Sequence, residues 1–516
     1  MADSATTARP SRELVWAIPV AIAARLVFWA VTNRTWEDAL ITLAHARNAV
    51  EGLGLTAHQG EPVTQGFTSA LSVLIPLAGE AVAAGSGLLV LRLASLAAVV
   101  VAVWAADHLL IELGVSVWPR RLTLAFLAVD PLQVFYGMAG METQVAVAVL
   151  LVSAYLTTQR HAFALGVSLG LALLARPDFA LWVGPVLLVE LVRRPRRAVV
   201  AGAATAAVVA PWLIFTTVYY GTPVPQTILA KSITYAQTPI ADAGWLLVHL
   251  WPIVTRTYAP FYEDSSVVAA PLPSLLAELV STFIWVSAIA GSIAAFRRIP
   301  AVVLFVGLYT IYRWTALPTE YFDWYVPPVA ALGIILAAVG IDRLTPAPVR
   351  PLIAWSAAVL LGGALVATIG IERLIQTRVE DGVRLPVAQY LADHAQPGDT
   401  VVAESAGYFG YYSRLTLYDY PGLTSRRALA VMRATQPELR TWETGPAVLV
   451  DRLQPTWFVA RPNDLGRLAA IAPNTAADYA VCHAWDAGTG DELIFGPVAM
   501  RSTDSQFVVL HRYRCP

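Results

Sequence analysis

Two adjacent acids, Glu37 and Asp38, are the first residues whose types and spacing could do chemistry. They open a segment in which apolar residues at positions 39, 40, 43, 46 and 50 follow the spacing of an amphipathic helix at a membrane interface. The dipole of such a helix favours carboxylates at its start, which would account for one acid without any function. The alternative is a general base, or a pair that orients an acceptor hydroxyl at the mouth of a membrane cavity.

Further acids stand at the edges of apolar runs. Glu142 begins one such run, and Arg176 and Asp178 form a candidate ion pair between two others. A carboxylate at membrane depth is costly and is a functional candidate by default, whereas both members of the pair would be solvated in a short outer loop. Glu320 and Asp323 lie among aromatic residues, and an aromatic belt explains the rings but not the acids.

Lys231 is the single lysine of the chain. Its compact ammonium group suits a phosphate oxygen, although chance retention on a solvated face would also explain it. The chain has no P-loop motif, no Cys or His cluster with metal-ligand spacing and no dinucleotide fingerprint. The sequence therefore indicates neither a nucleotide-linked donor nor a required cofactor. A divalent metal stays open as an alternative, but ligand spacing does not indicate one. Basic residues at the outer edge of a membrane would suit the phosphate of a lipid carrier.

The elements that would position these residues are mostly membrane helices. Of the 516 residues, 57% are hydrophobic and 14% are charged, whereas a soluble protein keeps roughly a quarter of its residues charged. Apolar runs continue to about residue 371, and several have the length of about 20 residues that a bilayer requires. The predicted membrane segments are 14–32, 68–84, 90–112, 121–136, 141–158, 162–175, 178–193, 198–218, 276–296, 300–317, 325–342 and 351–371.

The arginine cluster at 193–197 orients these segments, because cytoplasmic loops carry an excess of positive charge. The N-terminus is then cytoplasmic, and 33–66, 219–275 and everything after 371 lie on the outer face. Because 33–66 lies outside and the cluster inside, an odd number of crossings must separate them, but six segments are predicted there. The least certain of these lie in 68–112, where charged residues and proline interrupt the apolar run. We predict a multi-pass plasma-membrane protein with eleven membrane helices, thirteen being the alternative. The net charge of −1 gives no sign of a nucleic-acid partner.

The composition after residue 371 is that of a water-soluble domain. We therefore expect a membrane domain at 1–371 and an extracytoplasmic α/β domain at 372–516, in which short strands alternate with helices. Cys482 and Cys515 both border strand-like runs in an oxidising compartment, which predicts a disulfide; two free buried thiols are the alternative. The predicted strands are Thr400–Glu404, Leu415–Tyr418, Trp457–Ala460 and Phe507–Leu510.

Short motifs also follow one another in order between residues 35 and 325. They are Glu37-Asp38-Ala39, Ile41, Ala46-Arg47-Asn48, Gly52-Leu53-Gly54-Leu55, Gly60-Glu61, Gly66-Phe67-Thr68-Ser69, Ala139-Gly140-Met141-Glu142-Thr143, Ala175-Arg176-Pro177-Asp178, Tyr220-Gly221, Pro225-Gln226-Thr227 and Ala230-Lys231. In this order they resemble the GT-C superfamily of membrane glycosyltransferases that use polyprenyl-phosphate sugars. Within it, the chain looks most like the actinobacterial cell-wall arabinofuranosyltransferases, including the type that adds terminal β-1,2 arabinose. The motifs are specific for the superfamily and much less specific for the sugar.

The resemblance implies a role for each matching residue. Asp38, with Glu37, would engage the acceptor hydroxyl or act as the base; the family usually has two aspartates, so Glu37 departs from its pattern. Lys231 and Arg176 would hold the carrier phosphate. The reaction would move a sugar, arabinofuranose by this resemblance, from a lipid phosphate to a hydroxyl of a cell-envelope glycan such as arabinogalactan. The sugar and acceptor would be bound by His45, Arg47, Asn48, Glu142, Asp178, Gln226 and Asp323.

Other functions remain open on the sequence. One is a GT-C mannosyltransferase that acts on lipoglycan or protein. Another is a lipid-sugar transporter without catalysis, although transporters tend to show repeated halves with sites near the midplane, and the chain shows no internal repeat. The third is a scaffold that binds wall polymer through its terminal domain.

Overall fold

A computed structural model describes the chain at residues 11–234, 243–258, 271–316, 322–488, 492–493, 496–497 and 505–515. Glu320, one of the candidate acids, lies outside the described residues. The helices of the first part are α1 (Leu14–Thr32), α2 (Glu37–Val50), α3 (Ala70–Val82), α4 (Gly87–Glu112), α5 (Val117–Val129), α6 (Pro131–Met138), α7 (Thr143–Thr158), α8 (Ala162–Ala175), α9 (Ala180–Arg193), α10 (Pro195–Tyr220), α11 (Gln226–Thr234), α12 (Ala243–Arg256), α13 (Pro271–Ala295), α14 (Pro300–Ala316), α15 (Val326–Leu344), α16 (Arg350–Leu374) and α17 (Leu385–His394).

The bundle is apolar on its outside as well as inside, as expected of helices surrounded by lipid. Val192 and Ile293, for example, are 77% and 79% exposed, whereas α15 is buried throughout its apolar stretch and forms the centre of the bundle. Six stretches of the described chain are long and apolar enough to cross a membrane: Leu14–Thr32, Gly87–Glu112, Pro195–Tyr220, Glu278–Ala295, Asp323–Leu344 and Arg350–His394.

α4 connects the two ends of the bundle. Near its start, Arg92 donates a hydrogen bond to the carbonyl of Arg34 (2.8 Å), in the link between α1 and α2. Near its other end, Asp107 forms a 2.7 Å ion pair with Arg120 in the first turns of α5. We call the end that carries α2 the site end and the opposite one the distal end.

α3 begins and ends at the site end, so the predicted segment 68–84 does not cross the bundle. The Ser69 hydroxyl, at the start of α3, donates to the carbonyl of Leu174 beside the site (3.3 Å). Glu80, near the other end of α3, accepts a hydrogen bond from the N–H of Gly87, where α4 starts (3.1 Å). Eleven of the twelve predicted segments remain without it, and they correspond to α1, α4, the α5–α6 pair, α7, α8, α9, α10, α13, α14, α15 and α16. The count of eleven membrane crossings stays a prediction.

The segment predicted at 121–136 is wrong as one continuous helix, because the chain breaks between α5 and α6. Asp130 caps α6, and its carboxylate accepts a hydrogen bond from the backbone N–H of Gln133 (3.3 Å). Pro131 follows in the first helical position, where its missing N–H costs nothing, whereas in the interior of a longer helix it would remove a hydrogen bond.

The terminal part contains a five-stranded sheet in the order β2-β1-β3-β7-β4, in which β1 pairs in parallel with β2 and β3, and β7 pairs antiparallel with β3 and β4. Helices lie between the strands, which confirms the predicted α/β class, and Cys482 and Cys515 are joined by a disulfide. The elements are β1 (Thr400–Ala403), α18 (Ala406–Ser413), β2 (Thr416–Asp419), α19 (Arg426–Ala434), α20 (Gly445–Leu453), β3 (Trp457–Ala460), α21 (Pro462–Ile471), α22 (Pro473–Ala477), β4 (Tyr479–Asp486), β5 (Glu492–Leu493), β6 (Gly496–Pro497) and β7 (Gln506–Arg512).

α2 forms where the sequence predicts it, and it is enclosed by other parts of the chain. Most of its residues between Ala39 and Asn48 are buried, because α3 packs on one side and α18 of the terminal part packs on another. At the closest approach, Gly407 of α18 leaves no room for a Cβ atom, which would lie 2.0 Å from the carbonyl oxygen of Glu37. The terminal part therefore fixes the helix that carries the two acids.

Candidate active site

A cavity of about 70 Å³ lies at the site end. Its charged lining residues all come from the set that the sequence singles out: Asp38, Glu142, Arg176, Asp178 and Lys231. They belong to four separate stretches of the chain, and the fold brings them together. The other lining residues are Ile41, Thr42, Gly66, Phe67, Thr68, Ser69, Ser72, Met141, Ala175, Pro177, Thr227, Trp324, Tyr325 and Leu423.

Asp38 lies in the first turn of α2, whose start is anchored by Trp36. The Trp36 N–H donates to the carbonyl of Ala139 (2.8 Å), and its ring packs edge-on against Phe135 and Tyr136. The Asp38 side chain makes no hydrogen bond or ion pair with any residue that the structure describes. Burial raises the pKa of this carboxyl, and the positive charge of Lys231 opposes the shift. Asp38 is therefore a carboxyl group on the cavity wall that a ligand could contact.

Glu142 reaches the cavity from the turn between α6 and α7. Gly140, at φ +99°, makes this turn possible, and a Cβ there would lie 2.9 Å from the Cβ of Ala39. Burial raises the pKa of the Glu142 carboxyl, and the charge of Arg176 opposes this. The turn thus places a second carboxyl against the start of α2.

Arg176 and Asp178 form the ion pair that the sequence suggested. The Arg176 Nε atom lies 3.1 Å from the Asp178 carboxylate, and its guanidinium lies 4.1 Å from the ring centroid of Tyr325. Tyr309, from α14, donates a hydrogen bond to the same carboxylate. Because the carboxylate neutralises Arg176, this pair presents less net positive charge to the cavity than Lys231 does.

Lys231 lies in α11 with its ammonium group beside aromatic rings. The Nζ atom is 4.6 Å from the ring centroid of Phe322 and 5.3 Å from that of Trp324, a cation–π arrangement. Across the part of the chain that is described, it has no hydrogen bond and no ion pair. Burial lowers the pKa of Lys231, and the negative charge of Asp38 opposes this. Lys231 is thus a cation that an incoming anion could pair with.

Glu37 faces away from the cavity towards the segment that joins the two parts of the chain. Its carboxylate lies 3.4 Å from the Arg384 guanidinium and accepts a 3.4 Å hydrogen bond from the N–H of Gly407. Arg384 also pairs with Glu380 (3.1 Å), and Glu380 pairs with Arg34 at 2.8 Å. Of the two predicted acids, only Asp38 lines the cavity, and Glu37 belongs to an ion network that supports the start of α2.

Three residues of α2 that were predicted to bind sugar or acceptor do not line the cavity. In the buried ring of His45, Nδ1 donates to the carbonyl of Ile41 (2.7 Å), and Nε2 accepts a hydrogen bond from the N–H of Gly66 (3.3 Å), which holds the first loop in place. Asn48 donates to two carbonyls of the same loop, at 2.9 and 3.0 Å. Arg47 stacks on the ring of Tyr411 in α18, 4.2 Å from its centroid. Their contacts hold α2 against the first loop and α18.

The terminal part reaches the cavity through the loop after β2. Leu423 lines the cavity, and the carbonyl of Gly422 accepts a 2.8 Å hydrogen bond from Gln226. The carboxylate of Asp419 organises this loop by accepting hydrogen bonds from the N–H groups of Thr424 (2.9 Å) and Ser425 (3.0 Å). Gln226, predicted to bind sugar or acceptor, therefore joins the membrane part to the terminal part.

Comparisons with solved structures identify the architecture. The chain is similar to ArnT from Cupriavidus metallidurans bound to undecaprenyl phosphate, with a TM-score of 0.58, 14% identity and coverage of 97% of this chain and 98% of that chain. The oligosaccharyltransferase of Archaeoglobus fulgidus in the apo form follows, with a TM-score of 0.50, 11% identity and coverage of 94% and 74%. The chain is a polytopic membrane protein with a GT-C-like fold. This confirms the predicted fold class.

The remaining comparisons are less specific. The arabinofuranosyltransferase AftD from Mycobacteria has a TM-score of 0.45 and 14% identity, and the matched region covers 97% of this chain and 40% of that one. A TM-score this low does not identify the sugar. Residues 372–508 match a family model described as a domain of unknown function, DUF8728. In sequence the chain matches no curated protein.

Some residues of the site carry no signal in the sequence that could have placed them there. Tyr309 is one of two tyrosines in an apolar helix, and only the fold shows that it reaches Asp178. Leu423, with Gly422, fits the family pattern in the terminal domain, but only the fold shows that it reaches the cavity. Asp323, predicted to bind sugar or acceptor, is exposed and does not line the cavity. Within the described ranges, no three His, Cys, Asp or Glu side chains are grouped so that they could hold a metal ion.

Proposed function

We propose that the chain is a membrane glycosyltransferase that moves a sugar from a polyprenyl-phosphate donor to an acceptor hydroxyl. The observation that carries the proposal is that Asp38 and Lys231, a carboxylate and an ammonium group without ion-pair partners among the described residues, line the same cavity. A base and a phosphate-binding cation are the two groups that this transfer requires. The fold similarity to ArnT, whose structure holds undecaprenyl phosphate, agrees with a lipid-linked donor.

In the proposed reaction, Asp38 accepts the proton of the acceptor hydroxyl as that oxygen forms a bond to the anomeric carbon of the sugar. The bond between this carbon and the phosphate oxygen breaks, and the electron pair leaves with the lipid phosphate. Lys231 offsets the negative charge that develops on this leaving group, as a fixed cation in a water-poor cavity does most effectively. Arg176 adds a guanidinium beside the same cavity, and Glu142 would bind a sugar hydroxyl.

The proposed donor sugar is arabinofuranose, which rests on the resemblance of the motifs, and the proposed acceptor is a cell-envelope glycan. The site end would face the outside of the plasma membrane, because the arginine cluster at 193–197 lies at the opposite end of α9 and α10. The same orientation puts the N-terminus in the cytoplasm and the terminal domain, 372–516, outside. Mannose from a polyprenyl-phosphomannose donor is the second candidate.

The test is a transfer assay with the purified full chain in proteoliposomes. Polyprenyl-phosphoarabinofuranose and polyprenyl-phosphomannose are offered separately, each with an oligosaccharide acceptor of the matching type, and the products are identified by mass spectrometry. We expect transfer from the arabinose donor, and a loss of about 10²- to 10⁴-fold in Asp38→Asn. Asp393→Asn, which changes an exposed carboxylate of α17 far from the cavity, is the matched control.

Three results would overturn parts of the proposal. Transfer from the mannose donor alone would contradict the sugar. Full activity of Asp38→Asn would contradict the base. Movement of the intact donor between leaflets, with no glycosidic product, would identify a transporter instead of an enzyme.

A further inference from the structure

A second cavity, of about 230 Å³, lies at the distal end, where it cannot take part in the chemistry proposed above. It opens between the last turns of α4, α7 and α9 and the first turn of α14. The lining residues are Glu112, Leu113, Thr157, Thr158, Val186, Val189, Glu190, Arg193, Arg194, Arg298, Ile299, Pro300 and Ala301.

Three arginines give this cavity its charge. The Nη1 atom of Arg298 donates to the carbonyl of Leu113 (2.9 Å), which fixes this guanidinium at the rim. Arg193 is held in the same way by the carbonyl of Arg297 (3.1 Å). A guanidinium has five N–H donors, so both keep donors for a ligand. The Arg194 side chain is exposed and has no hydrogen bond within the ranges that the structure describes.

The acids of the cavity do not cancel this charge. Glu190 is buried and forms a 3.0 Å ion pair with Arg197, so its charge is already offset. Glu112 is exposed at the end of α4 and has no ion pair with a described residue. The cavity therefore has three arginines and only one carboxylate without an ion pair among the described residues, so its net charge is positive. This charge favours an anionic ligand.

The surroundings of the cavity select a lipid rather than a free anion. Exposed apolar side chains stand next to the basic rim: Val192 of α9 is 77% exposed, and Ile293 of α13 is 79% exposed. Basic groups at the end of an apolar exterior lie at the level of lipid headgroups. A phospholipid could thus place its phosphate among the arginines while its acyl chains run along α9 and α13.

We propose that the distal cavity binds the headgroup of an anionic membrane phospholipid through Arg193, Arg194 and Arg298. The site is structural or regulatory, since it is separated from the candidate active site by the length of the bundle. It is independent of the proposed transfer activity, so binding can be tested without a sugar donor.

The experiment measures binding of dioctanoyl phosphatidylglycerol to the purified full chain in detergent by native mass spectrometry. Each arginine near a lipid surface contributes about 1 kcal/mol, or about fivefold in affinity, so Arg194→Glu combined with Arg298→Glu is expected to weaken binding by at least about 25-fold. Arg196→Glu is the matched control, because Arg196 lies in the same arginine cluster but does not line the cavity. Should the double variant fold poorly, Arg194→Glu alone serves, since its exposed side chain makes no hydrogen bond or ion pair with a described residue.

A large loss in the double variant together with a change of less than about twofold in Arg196→Glu supports the proposal. Equal losses in both would show diffuse attraction to basic charge and would overturn the cavity as a site. Equal binding of dioctanoyl phosphatidylcholine would overturn the preference for an anionic headgroup. Displacement of the lipid by inorganic phosphate at comparable concentration would identify a free anion as the ligand and overturn the lipid.

Discussion

Glu37 and Asp38 are adjacent in the chain, but only Asp38 lines the cavity, whereas the Glu37 carboxylate lies 3.4 Å from the guanidinium of Arg384. Neighbouring residues of a helix point in different directions, so the first turn of α2 gives the two acids different partners. Asp38 faces the space where a ligand would bind. Glu37 faces the segment Ile375–Arg384 that connects the membrane helices to the terminal sheet.

The first prediction separates the two acids. Asp38→Asn should lower kcat/KM by about 10²- to 10⁴-fold, because it removes the base. Glu37→Gln should lower it by less than about tenfold, because Glu37 does not line the cavity. The cost should appear instead in the thermal midpoint, since removing one partner of a largely buried ion pair destabilises a protein by up to about 3–5 kcal/mol. The measurement is the transfer assay with each variant, together with its thermal midpoint. A Glu37→Gln loss as large as that of Asp38→Asn would show that Glu37 is itself the base.

The second prediction concerns pH. A base must be deprotonated, so activity falls as the pH drops through the pKa of Asp38, which burial raises. A phosphate-binding ammonium must be protonated, so activity also falls as the pH rises through the pKa of Lys231, which burial lowers. The pH range over which kcat/KM is high should therefore be narrower, on both the acid and the alkaline side, than the range expected for an Asp and a Lys with ordinary pKa values.

Lys231→Arg tests the alkaline limb of this profile. A guanidinium stays protonated in proteins, so the limb should move to higher pH while the acid limb stays in place. Activity at the optimum should fall, since the fork of Arg does not reproduce the geometry of a compact ammonium. An alkaline limb that does not move would mean that another group titrates there.

The third prediction concerns the support of the ion pair. Tyr309 donates to the carboxylate of Asp178, which pairs with Arg176. Tyr309→Phe removes this donor and should leave Asp178 less firmly held. A hydrogen bond to a charged group contributes about 1.5–3 kcal/mol, and because Tyr309 acts on the ligand only through Asp178 and Arg176, we expect KM to rise by the smaller factor of about three- to tenfold. Tyr312→Phe is the control, because Tyr312 lies in the same helix and its hydroxyl has no hydrogen-bond partner in the described chain. Equal effects of both changes would contradict the positioning role of Tyr309.

The membrane segments and their order could be predicted because hydrophobic length is a local property of the sequence. The position of α3, which stays at the site end, could not be predicted, since it depends on the contact of Glu80 with the start of α4. The charged residues of the cavity could be singled out one by one, because a charge beside an apolar run is costly wherever it lies. The direction of each side chain separates Asp38 from Glu37, and it depends on contacts between residues far apart in the sequence, such as that of Glu37 with Gly407 of α18.

The fourth prediction tests whether the terminal part holds α2 in place. A Cβ atom at Gly407 would lie 2.0 Å from the carbonyl oxygen of Glu37, and this oxygen belongs to the backbone, so the methyl group of alanine can be accommodated only if α18 moves away from α2. Gly407→Ala should therefore destabilise the chain by about 1–3 kcal/mol. It should also lower transfer, because the first turn of α2 carries Asp38.

Gly466→Ala is the matched control for Gly407→Ala. Gly466 lies within α21, and a Cβ there would meet no atom within 4 Å. Alanine is favoured over glycine in a helix by about 0.8–1.0 kcal/mol, so this variant should keep or raise the thermal midpoint and leave transfer unchanged. If Gly407→Ala behaved like Gly466→Ala in both measurements, the contact between α18 and α2 would not set the position of Asp38. A fall in transfer with Gly407→Ala alone would show that the terminal domain acts on the site through this helix.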